Sequence, residues 1–187
     1  MVTIVQKEDP VLRQIAKPVP ASMFGTPELR KILSDMSKAM ATQDDGVAIA
    51  APQIGVSLRI FLVSGHALEM IYPELGDGLA EGVQVPDMAF INPVITKVSR
   101  EKEEMEEGCL SVRYLYGKTI RSKKARVRAY DEEGNAFEFG GTGLVAQIFQ
   151  HETDHLDGVL FIDNATDVHD MPPEKAGQGE MAPAETP

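Results

Sequence analysis

The sequence holds one cysteine among 187 residues, which excludes an internal disulfide framework. No apolar run approaches the roughly 20 residues that would cross a bilayer as a helix. The opening MVTIVQKEDP lacks the basic start and apolar stretch of a secretory signal. Basic residues are also scarce. Eighteen Lys and Arg against 29 Asp and Glu leave a formal charge of −11, unsuited to a protein whose main task is gripping nucleic-acid backbone. No internal repeat is visible. What is present, 43% hydrophobic and 25% charged, is the composition of an ordinary globular chain long enough to bury a core. The expectation is a cytoplasmic protein of a reducing compartment, most often an enzyme, with no membrane partner and no direct nucleic-acid specificity.

Local signals divide the chain into elements. Pro10, Pro18 and Pro20 mark an ordered arm with one helical turn. Thr26-Pro27 joins a hydroxyl N-cap to proline at the first helical position, and Leu29, Ile32, Leu33, Met36, Ala39 and Met40 follow with helical spacing to about Thr42. Short strands are expected at 59–63, 89–95 and 125–130, the last returning as a hairpin through Phe137 and Phe139. Residues 64–88 carry five acidic and no Lys or Arg side chains and read as a long surface excursion. A second helix is expected over 143–157, capped by Thr142 and closed by Gly158 in the left-handed conformation, with a last strand at 159–162. The folded domain is expected over 1–165. Residues 166–187 read as an acidic, disordered tail, too rich in Pro, Gly, Glu, Ala and Thr to bury a core.

The strongest chemical signal is His151-Glu152-Thr153-Asp154-His155. On a helix, positions i and i+4 share a face, so both imidazoles can reach one metal ion. Glu152 follows the first of them and can approach a water on the metal without being a ligand, taking its proton and later returning it. Two solvated histidines and a surface glutamate are the plain alternative. Two of only four histidines falling in this pattern favour the metal.

A catalytic site needs a third protein ligand. The position where a metalloprotease of similar motif would place a further histidine is Phe161. The other candidate is Cys109, within Glu106-Glu107-Gly108-Cys109-Leu110-Ser111. A lone cysteine is more often a buried small side chain than a ligand, though the glycine and acids around it suit a core position poorly.

Taken with Gln150 and Leu156-Asp157-Gly158 around the histidine motif, with Glu107-Gly108-Cys109-Leu110-Ser111, and with Gly46-Val47-Ala48-Ile49-Ala50-Ala51-Pro52-Gln53, the sequence resembles the peptide deformylases. The likeness extends from about residue 3 to 163. It implies an α+β fold in which antiparallel β-sheets pack around a central helix carrying the His-Glu-x-x-His motif. It implies one divalent metal ion, Fe(II) above all with Zn(II) or Ni(II) able to substitute, held by Cys109, His151 and His155. The implied reaction removes formate from the N-terminal formylmethionine of nascent peptides, the substrate partners, with transient ribosome association. Glu152 would be the general base and then the acid, while the Gln53 side-chain amide and the Leu110 backbone N–H would hold the developing oxyanion. Gly46, Val47, Ala48, Gly108, Leu144 and Ile148 would contact the peptide, the small residues near Gly46 letting its backbone approach. Glu107 and Arg121 would form a supporting pair that orients the metal loop.

Four places depart from the family pattern. Ala48 stands for a second glycine, Arg113 replaces a proline and implies a less rigid loop, and Gln147 replaces an apolar residue one turn before His151. The 64–88 excursion is also long, and the tail lacks a basic helix. Ala48 and Gln147 motivate a rival reading, the same scaffold acting on another acylated amine. A catalytically silent metal- or peptide-binding module is a second rival, disfavoured because a structural site has no use for Glu152. An endopeptidase is least favoured, for want of its third ligand after the helix.

Overall fold

Helix α1 (Pro27–Ala41) forms where its sequence signals place it. The Thr26 hydroxyl accepts from the Leu29 N–H at 3.3 Å, and Pro27 opens the first turn. Its buried side chains, Leu29, Leu33, Met36, Ala39 and Met40, pack on Ile49, Ile60, Leu62 and Ile91. Those partners come from strands β1 (Ala48–Ala50), β2 (Ile60–Val63) and β3 (Met88–Val98). The computed structural model describes residues 2–80 and 82–172.

Two antiparallel sheets result. The larger runs β1-β2-β3-β6-β7, completed by β6 (Lys124–Tyr130) and β7 (Ala136–Thr142). The smaller runs β4-β5-β8, formed by β4 (Lys102–Gly108), β5 (Leu115–Ser122) and β8 (Thr166–Asp170). Helix α3 (Leu144–Leu156) packs against strands of both sheets and bears His151, Glu152 and His155. Phe149 anchors it beside Phe90, ring centroids 5.2 Å apart, while Phe61 stacks on Phe90 at 4.6 Å. The mixed helix and antiparallel-sheet architecture is therefore the one expected.

Several local expectations are corrected. Thr142 does not cap α3, because it ends β7 paired with Lys124; Gly143, at φ 54°, makes the strand-to-helix turn instead. Gly158 does close the helix at φ 75°. The Val159 N–H reaches the Asp154 carbonyl at 2.9 Å and the Gly158 N–H that of His155 at 3.2 Å, satisfying the helix end. Residues 159–162 are not a strand. The Leu160 N–H donates to the Asp163 carboxylate at 2.9 Å and the chain turns through a 3₁₀ segment, Phe161–Asp163.

The excursion after β2 is more than surface. It contains helix α2 (Gly65–Ile71), which buries Ala67 and Leu68 and leans Ile71 on the main core. The boundary at residue 165 also falls short, since Thr166–Asp170 is strand β8, joined to β5 through Leu115↔Asp170, Tyr116↔His169 and Lys118↔Thr166. Main-chain pairing needs no apolar side chains, and every β8 residue is exposed, so composition carried no sign of it. The rest of the expected tail, 173–187, lies outside the described residues.

Candidate active site

Two elements converge on α3. Strand β4 ends at Gly108 and delivers Cys109, the 3₁₀ segment after β1 (Ala51–Ile54) delivers Gln53, and α3 itself presents His151, Glu152 and His155. The Cys109 sulfur and one nitrogen from each of His151 and His155 lie within 4.8 Å of one another. Cys109 Sγ stands 3.1 Å from His155 Nε2 and accepts from the Ser111 N–H at 3.4 Å. One cysteine sulfur and two imidazoles, placed by a helix and a loop, suit a divalent ion and would leave a coordination position free for chemistry.

Second contacts aim these candidate ligands. Glu107 Oε2 faces His151 Nδ1 at 3.1 Å, which turns the Nε2 edge of that ring toward the thiol. Arg121 grips the same carboxylate from Nε at 2.7 Å and Nη2 at 2.9 Å, and its Nη1 donates to Asp154 at 2.7 Å. The chain Asp154, Arg121, Glu107, His151 thus leaves α3, crosses β5 and β4, and returns to α3. Burial opposes ionisation of Glu107, but His151 and Arg121 outweigh it and hold the carboxyl well below its usual range. Asp154 was missed as a site residue. Its signal was its place three residues after His151, on the same helix face.

Glu152 differs from its neighbours. It is 4% exposed, and its Oε2 is buried with no hydrogen-bond partner among the described residues. Burial above all, aided by the charges of Glu107 and Asp154 and opposed by His151, pushes its pKa up to about 7. A carboxyl so placed can hold or release a proton near neutrality. Gln53 is fixed by the Ala50 N–H donating to its Oε1 at 2.7 Å, while its Nε2 donates to Ser111 Oγ at 3.2 Å and lies 3.5 Å from Cys109 Sγ. The Leu110 N–H donates to no acceptor among the described residues.

A cavity of about 240 Å³ opens over this group. Val47, Ala48, Gly108, Leu144 and Ile148 line it, as do Gln53, Leu110, Glu107, Cys109, His151 and Glu152. Gly46 does not: a Cβ there would meet the Met40 carbonyl at 2.6 Å, so its role is close passage beside the end of α1. His155 and Arg121 stand behind the wall. Asp45, Glu106 and Tyr116 also line the cavity, without a motif that would have singled them out. Gln147 lies on the wall with its Nε2 tied to the Glu106 carbonyl at 2.8 Å.

Comparison with known proteins agrees with this geometry. The family model described as polypeptide deformylase matches residues 1–171. The chain is 38% identical over 165 residues to a peptide deformylase of Carboxydothermus hydrogenoformans, covering 88% of this chain and 93% of the relative. A crystal structure of peptide deformylase from Thermotoga maritima superimposes with a TM-score of 0.72 at 37% identity, covering 89% of this chain and 98% of that one. A Met-Ala-Ser-bound class I type b peptide deformylase from Acinetobacter baumannii gives a TM-score of 0.73 at 29% identity, covering 88% and 99%. The chain belongs to the peptide deformylase family, metal-dependent hydrolases that remove formyl groups from formylated peptides.

Proposed function

We propose that the protein acts in the cytoplasm on the N-terminal formylmethionine of newly made peptides, associating transiently with the ribosome, and that α3 is the central helix of its catalytic machinery. Cys109, His151 and His155 would hold one divalent ion, with Fe(II) favoured over Zn(II) and Ni(II). When bound, that ion supplies Lewis acidity toward the formyl oxygen and a water more readily deprotonated. The chain's own residues do the rest. The Gln53 Nε2, and the Leu110 N–H with no acceptor among the described residues, are the two donors that hold the carbonyl oxygen as charge builds on it. Val47, Ala48, Gly108, Leu144 and Ile148 bind the peptide and its first side chain in the cavity.

The Glu152 carboxylate takes the proton of the attacking water and then gives it to the amine nitrogen, so that the C–N bond breaks to a neutral amine and formic acid, which loses its proton to water as formate. The single observation that carries this role is the buried Glu152 oxygen without a partner. A buried unsatisfied carboxylate costs on the order of 1–3 kcal/mol or more unless a ligand or water meets it, which supports a catalytic place for this side chain on the wall of the cavity. Glu152→Gln keeps the size and loses the proton. Formate release from a formyl-Met peptide should fall by roughly a hundred- to ten-thousand-fold. Metal content should stay near that of the unaltered protein. A variant retaining most of its rate with metal bound would send the role to another base.

A further inference from the structure

We propose that Arg113 is a positioning residue, a brace that ties the two walls of the substrate cavity together and sets their separation. This rests on the reading of that cavity as the peptide site. One wall is the segment entering β1, through Asp45, Val47 and Ala48; the other is the metal loop, through Gly108 and Leu110. Arg113 follows Leu110 in the same loop, just outside the cavity lining, and reaches across to the first wall. Its Nη1 donates to Asp45 Oδ2 at 2.7 Å, and its Nη2 donates to Asp45 Oδ1 at 2.9 Å and to Gln43 Oε1 at 2.8 Å. A guanidinium fork on a carboxylate fixes direction as well as distance, which a single ammonium contact would not.

The other end of the brace is anchored too. The Arg113 N–H donates to Gln6 Oε1 at 3.3 Å, and Gln6 Nε2 donates to the Leu110 carbonyl at 3.1 Å. The loop that offers the Leu110 N–H to the substrate oxygen is therefore held from the N-terminal arm on one side and from Asp45 on the other. Where proline is replaced by Arg113, ionic and amide contacts tie the loop to Asp45, Gln43 and Gln6. The position has a further consequence. A second cavity, about 380 Å³, adjoins the first and shares Asp45 and Tyr116 with it, with Arg113 in its wall. A peptide extending beyond its first residue would pass along the braced side.

The test compares the full-length metal-loaded enzyme with R113A, R113K and the swapped pair R113D/D45R. Substrates are formyl-Met amide and formyl-Met-Ala-Ser. In R113A the KM for the tripeptide should rise roughly five- to ten-fold, the scale of a charge-assisted pair at the surface. Its kcat should stay within about two-fold, its metal content should be unchanged, and the KM for the one-residue substrate should move less. R113K should recover part of the loss and the swapped pair more. Amide hydrogen exchange over residues 46–48 and 109–111, read independently of turnover, should accelerate in R113A. Unchanged exchange would overturn the brace itself. Faster exchange with unaltered KM for both substrates would overturn its part in binding.

Discussion

Glu107 shows how one side chain can be worth more to this site than its own chemistry. It is 4% exposed on a strand of mostly charged residues, and it is held by Arg121 while it aims His151. Its folded pKa is lowered from an ordinary value of 4.5. A depressed carboxylate adds stability that is present above the unfolded pKa and is lost as pH falls through the folded one. Glu107→Gln should therefore lower stability at pH 7 by on the order of 3 kcal/mol, as for a broken buried pair. The deficit should shrink as pH drops below about 4.5. Metal affinity should fall by about ten- to a hundred-fold. Denaturant midpoints at pH 7 and in acid check the first; equal midpoints at neutrality would refute it. Gln147 is the second residue of interest. Its amide on the cavity wall meets the Glu106 carbonyl, so Gln147→Ile should favour an apolar first side chain. The ratio of kcat/KM for formyl-Met-Ala-Ser over formyl-Gln-Ala-Ser should rise by roughly ten-fold, the worth of one well-placed apolar contact. An unchanged ratio would remove Gln147 from specificity.

At the scale of elements, α3 is held at both ends and along its length. Gln150 accepts from the Ser122 N–H at 2.9 Å and donates to the Ser122 carbonyl at 3.0 Å, fastening the helix to the end of β5. The C-terminal end depends on Gly158. Its φ is +75°, and a Cβ there would sit 2.8 Å from the Arg13 carbonyl, so both conformation and space exclude a side chain. Gly158→Ala should cost about 1–3 kcal/mol. Because His155 lies in the last turn, metal binding should weaken with it. Thermal unfolding with and without metal measures both effects, and an unshifted midpoint would show that the turn relaxes freely.

At the scale of the whole molecule, the smaller sheet ends in a strand contributed from beyond the expected domain boundary. Every residue assigned to the site and every described strand lies within residues 2–172. A chain ending at residue 172 should therefore turn over short formylated peptides as the full chain does. A chain ending at residue 165 loses β8, strips the partner from one edge of β5, and removes the His169 ring that stacks on Tyr116 at 6.3 Å. It should unfold at lower temperature and expose an edge prone to association. Turnover and sedimentation of both truncations test this; equal behaviour would make β8 ornamental.

Much was legible in the residues alone. The spacing of His151 and His155, the cap at Thr26 and the left-handed stop at Gly158 are local rules, satisfied within one or two turns of chain. They set the helices and, with the motif around Cys109, pointed to the family and to the metal-binding set. What lay beyond reach was whatever depended on a partner distant in sequence. Lys102–Gly108 has charges on both faces and no strand signature; it becomes β4 because β5 pairs with it and Arg121 neutralises Glu107. Asp154 joins the site only through Arg121, Arg113 becomes a brace only because Asp45 lies opposite, and Gly46 turns from a substrate contact into room beside Met40. Helix periodicity and capping are written in neighbouring residues, so the sequence by itself determined α1, α3 and the histidine face. Pairing, burial of charge and the width of the cavity come from contacts between segments far apart in the chain, so only the tertiary structure decided them.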